Sequence, residues 1–118
     1  MNPLGLAAGI CGFLAVALGA FGAHGLEGKL SPEAGEWWAT ATLYGLAHGV
    51  AALAVSLSDR DLLRRAGWAF VIGAAVFSGS LYAMAFGAPR WFGMITPLGG
   101  VSFLAGWALT MMAGLRRR

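Results

Sequence analysis

Polar and apolar positions separate along this chain into blocks too long to be the faces of soluble helices. No Asp, Glu, Lys or Arg falls between Asn2 and Leu26, between Trp37 and Ser58, between Ala66 and Pro89, or between Trp91 and Leu115. A helix rises about 1.5 Å per residue, so about 20 residues cross a hydrocarbon layer roughly 30 Å thick. The blocks therefore predict four membrane-spanning helices, over about residues 4–23, 37–57, 66–87 and 96–115. Joined by short polar connections, they imply an all-α integral membrane fold, a four-transmembrane-helix antiparallel bundle occupying residues 1–118 as one domain.

Local signals place the ends of these helices. Ser31 followed by Pro32 reads as an N-cap and a first helical residue, with Glu33 at the positive end of the helix dipole. The second helix then starts in the interface, ahead of its embedded part at Trp37. Ala88 and Pro89 stop the third helix, and Arg90, Trp91 and Phe92 form an interfacial turn. Thr96 and Pro97 repeat the cap-and-proline start for the fourth.

Composition confirms lipid as the solvent, because 58% hydrophobic and 11% charged residues leave too little polar surface to cover a water-soluble globule. A net charge of +3 could point to nucleic acid, but Arg116, Arg117 and Arg118 adjoin a hydrophobic helix end. Anchoring beside anionic lipid explains them, and no nucleic-acid partner is expected. Arg60, Arg64, Arg65 and the three tail arginines fall on one side, against Lys29 and Arg90 on the other, which places both termini in the cytoplasm. Trp37, Trp38 and Trp91 would mark the outer interface and Trp68 the inner one. Residues 1–5 carry no Lys or Arg and the first apolar run exceeds a signal core, which argues against cleavage. Ile10 ahead of Cys11 does not fit a lipoprotein signal, and Cys11 reads as a small hydrophobe.

Small residues recur every seven positions inside three spans. Gly5, Gly12 and Gly19 run beside Ala8, Ala15 and Gly22 in the first; Ala66, Gly73, Ser80 and Gly87 mark the third; Gly99, Gly106 and Ala113 mark the fourth. Such stripes let backbones approach in lipid, and a seven-residue period favours left-handed packing at about 20°.

His48 is the one ionisable side chain deep in a span, roughly 16 Å below Trp37 along the helix. Tyr44 lies one turn nearer the outer end on the same face. Counting back from Gly87 sets Ser78 level with His48 and Ser80 level with Tyr44, so the four are expected to form a hydrogen-bond ladder between neighbouring helices. Tyr82, His24 and Thr96 complete the polar set from which a binding site would be drawn. His24 belongs at the outer end of the first helix and His48 about 15 Å deeper, too far apart for metal bonds of about 2 Å. No metal, cofactor or catalytic motif is expected.

The ordered segments Gly19-Ala-Phe-Gly-Ala-His-Gly-Leu26, Tyr44 with His48, Phe77-Ser-Gly-Ser-Leu-Tyr82 and Ile95-Thr-Pro-Leu-Gly-Gly100 resemble a known set. They are similar to the YgdD-type family of small bacterial membrane proteins of unknown function (DUF423, also UPF0382), to which mammalian transmembrane protein 256 is related. The resemblance covers nearly the whole chain and implies a four-helix protein of the bacterial inner membrane, with no catalytic residues to carry over. Many members have a polar residue where this chain has Gly45, which weakens an extended polar relay. The expected function is non-enzymatic, through helix packing and association with a second copy or another membrane protein. The alternative is an oligomeric transporter or channel for ions or small solutes, built around His48.

Overall fold

The computed structural model describes residues 1–116. Its helices are α1 (Pro3–His24), α2 (Pro32–Ser56), α3 (Asp61–Ala85) and α4 (Thr96–Arg116), with a 3₁₀ turn at Arg90–Met94 ahead of α4. All four spans are long and apolar enough to cross a membrane. Large apolar side chains cover the outside, among them Phe13, Leu43, Val101, Leu104 and Met111. That inversion of the soluble pattern is stable in hydrocarbon, where the helical backbone satisfies its own polar groups.

The termini of the helices follow their sequence signals, with two exceptions. Asn2 caps α1 by accepting from Gly5 N at 3.0 Å, and Ser31 caps α2 by accepting from Ala34 N at 3.1 Å. α3 starts at Asp61, ahead of its apolar block, because Asp61 at the first turn and Arg65 form an i,i+4 ion pair at 2.8 Å. The basic stretch expected to be a connection is therefore largely helical. The other end of α3 closes at Ala85 in a Schellman turn, with Gly87 at φ +107 and Ala88 N donating to Ala83 O at 3.0 Å. Thr96 opens α4, yet its hydroxyl does not cap the helix; it meets Ser80 and Phe92 O instead.

Contacts at both ends fix the up-and-down course. At one end Asn2 Nδ2 donates to Ser56 O at 2.9 Å, holding the start of α1 to the end of α2, and Arg60 donates to Ala113 O at 2.6 Å, holding the end of α4 to the α2–α3 connection. At the other end Glu33 pairs with Arg90 at 2.6 Å, and the Arg90 guanidinium lies 5.6 Å from the Trp37 ring. Arg117 and Arg118, two of the three tail arginines in the charge asymmetry, lie outside the described residues. α3 packs at length on α2 and on α4, while α1 packs on α2 and meets α3 over a shorter stretch. The bundle is thus unequal, with α3 enclosed and α1 largely facing lipid.

Small residues make the seams. A β-carbon on Gly99 would lie 2.5 Å from Phe77 N, and one on Gly106 would lie 2.5 Å from the Phe70 ring, so α3 and α4 approach where glycine allows it. Ala8 and Ala15 are buried on α1, and Gly22 carries the Trp38 indole where any side chain would stand. Leu4, fully buried, fills the space above Gly67 and packs with Ala52, Ala66 and Phe70. Gly12 and Gly87 are exceptions among the seven-spaced positions, since a β-carbon on either would meet nothing within 4 Å; Gly87 serves the turn instead.

Candidate functional site

The polar interior is organised around α2. His48 is 7% exposed, about two-thirds of the way along the helix, with its ring stacked on Phe103 of α4 at 3.6 Å between centroids and 12° between planes. Its Nδ1 lies 2.8 Å from the Tyr44 carbonyl, and its Nε2 lies 3.0 Å from Nε1 of Trp107. An indole N–H only donates, so Nε2 is the acceptor and the ring proton sits on Nδ1, where it donates to Tyr44 O. Both nitrogens are thereby used, and the imidazole is held as one neutral tautomer.

The expected ladder of His48 with Ser78 and of Tyr44 with Ser80 does not form. Ser78 Oγ donates to Ala41 O at 2.6 Å, Ser80 Oγ bonds Thr96 Oγ1 at 2.5 Å, and Tyr82 OH bonds Thr42 Oγ1 at 2.7 Å. Facing, more than depth, explains the difference. Thr42 meets Tyr82 and Gly45 meets Ser78, within a residue of the alignment that counts back from Gly87 opposite Trp37, but His48 turns to Phe103 and Trp107 and Ser80 turns to Thr96, all on α4. Ser78 falls beside Gly45, where a β-carbon would come within 3.1 Å of its hydroxyl. At this position glycine leaves room for the Ser78–Ala41 bond between helices.

The structure thus brings the candidates together in three separate places. Tyr44 and His48 share an aromatic cluster with Phe77, Phe103 and Trp107; Ser80 joins Thr96 across α3 and α4; Tyr82 joins Thr42 across α2 and α3. His24 stands apart, exposed at the end of α1. Tyr44, 42% exposed, lines a depression of about 480 Å³ with Phe77, Pro97 and Trp107. Among the described residues no three His, Cys, Asp or Glu side chains gather.

Two participants escaped the sequence reading. Trp107 supplies the partner of His48; an indole in mid-span, away from the interfaces tryptophan favours, was the available signal. Trp38, expected at the outer interface, is instead 4% exposed and donates to Leu18 O at 2.8 Å, tying α2 to α1. The adjacent Trp37 keeps the interfacial position beside Arg90.

What this geometry defines is a polytopic α-helical membrane protein whose interior polar side chains bond to one another or to neighbouring backbones. Comparison with known proteins gives the same class and makes it specific. Residues 18–100 match a family described as a protein of unknown function, DUF423. The chain is 41% identical to the UPF0382 inner membrane protein YgdD of Escherichia coli over 92% of its own length and 86% of the relative's. It is 43% identical to the UPF0382 membrane protein YwdK of Bacillus subtilis, covering 87% of this chain and 88% of that one. A UPF0382 membrane protein of Haemophilus influenzae is 46% identical, covering 83% and 82%. The chain belongs to the DUF423 (UPF0382) family of membrane proteins. No solved structure matches it.

Proposed function

We propose that this protein is a non-enzymatic component of the bacterial inner membrane that acts through association, with a second copy or with another membrane protein, and keeps both termini in the cytoplasm. The observation that carries the reading is the uneven use of α1. Of its residues only Leu4, Ala8 and Ala15 are buried, while Leu6, Gly9, Phe13 and Val16 form an outward face. Phe13 is 75% exposed beside Gly9, over which nothing lies within 4 Å, so a projecting ring adjoins an empty notch. Knob and notch one turn apart can interlock with another helix, and in lipid such close packing drives association. The hydrogen bonds of His48, Ser78 and Ser80 favour this reading over transport, because they commit these polar atoms to partners within the protein.

The test is crosslinking in native membranes together with native mass spectrometry from lipid nanodiscs. A defined oligomer or a reproducible membrane partner, lost in a Gly9→Leu variant, is the expected result. A strictly monomeric chain without crosslinked partners refutes the proposal. Orientation is tested separately by C-terminal fusions, with a fluorescent green fluorescent protein and an inactive alkaline phosphatase expected.

A further inference from the structure

Beside the α1 face assigned to association runs a second feature, a groove between α1 and α3. It encloses about 410 Å³ and is apolar, with Ala7, Ile10 and Leu14 on one wall and Val71, Ala75 and Gly79 on the other. Its α1 wall extends from Ala7 to Leu18, about 16 Å, which is close to half of a hydrocarbon layer roughly 30 Å thick. The hollow exists because Ala75 and Gly79 present almost no side chain where α1 draws away from α3. Nothing lies within 4 Å of the position a Gly79 β-carbon would take.

The two ends of the groove differ in charge. Arg64, Trp68, Val71, Ala75 and Gly79 follow at three- and four-residue spacings, so they share one face of α3. Arg64 therefore stands in line with the groove, about 10 Å beyond Val71 toward the end that holds both termini. Arg64 reaches the Ser56 carbonyl at 3.5 Å, Arg65 next to it is largely exposed in its pair with Asp61, and the Trp68 ring, 39% exposed, lies between the arginines and the groove. The opposite end carries Glu27, Glu33 and Glu36 against Lys29 and an Arg90 that Glu33 engages, a net negative balance. A ligand with a long apolar chain and an anionic head fits this polarity in one direction only.

We propose that the α1/α3 groove is a binding site for one anionic phospholipid, with an acyl chain along Val71, Ala75 and Gly79 and its phosphate at Arg64 and Arg65. Hydrocarbon is the solvent on this face, and the arginines add selection by charge, each contributing about a fivefold preference near a membrane surface. Trp68 supplies the amphipathic ring that sits at headgroup level.

The experiment is native mass spectrometry of the full chain with phosphatidylglycerol or phosphatidylcholine of identical acyl chains. One phosphatidylglycerol per chain should survive a collision energy that strips phosphatidylcholine. Gly79→Leu, which fills the groove from an open position, should abolish retention of that lipid. Gly100→Leu, on open α4 surface, should leave it as in wild type. Arg64→Gln and Arg65→Gln should each lower the preference for phosphatidylglycerol about fivefold while leaving the groove able to hold a chain. Circular dichroism establishes that each variant is folded before it is compared. Equal retention of the two lipids by wild type, or unchanged phosphatidylglycerol retention in folded Gly79→Leu, overturns the proposal.

Discussion

Replacing Trp107 by Phe would take the indole N–H away from His48 while keeping an aromatic ring against Phe70, whose centroid lies 4.7 Å from that of Trp107. His48 Nε2 would then face Phe70 and Phe103 with no donor in reach. In a soluble core an orphaned acceptor costs about 1–3 kcal/mol. In a bilayer, where the separated helices find other partners, pairwise hydrogen bonds between helices average about 0.6 and reach about 1.7 kcal/mol. The lower range applies, since the ring stacking on Phe103 survives the substitution. A cycle of Trp107→Phe, His48→Phe and the double variant, unfolded with SDS in mixed micelles and followed by circular dichroism, should give a coupling of about 0.6–1.7 kcal/mol. Nitrogen-15 spectra of the wild type should show His48 as the Nδ1–H tautomer. A coupling below about 0.3 kcal/mol, within ordinary additivity error, or a dominant Nε2–H tautomer would refute the reasoning.

The seams and ends of the bundle give further outcomes. Gly99→Ala should cost about 1–3 kcal/mol, because its β-carbon meets backbone at Phe77 and cannot rotate away, whereas Gly100→Ala, facing open space, should be neutral or slightly stabilising; equal SDS midpoints for the two would contradict the α3–α4 packing. Arg60→Ala should lose about 1–2 kcal/mol and speed amide exchange in the last turn of α4, since the guanidinium satisfies the Ala113 carbonyl there; unaltered exchange in that turn would show that the bond carries no weight. Glu33→Gln should shift stability by less than about 1 kcal/mol, because its ion pair with Arg90 is largely solvent-exposed, and a loss as large as that of Gly99→Ala would refute this.

The blocks without charge determined the number of helices, their approximate bounds and their solvent, because no other structure satisfies so long an apolar backbone in hydrocarbon. Ser31 with Pro32 and the small-residue periods were equally legible, being short-range features of one helix at a time. Where His48 finds its partner was not legible. That depends on how α2 and α3 rotate against α4, which turned His48 to Trp107 and left Ser78 with Ala41. Register of this kind is decided by which glycine receives which aromatic ring: Phe103 at Gly73, Phe70 at Gly106, Trp38 at Gly22. Each fit joins residues far apart in the chain, so it belongs to the packed structure and has no signature in any single segment. The α1/α3 groove arises the same way, as the space left when α1 follows α2 and only partly covers its enclosed neighbour.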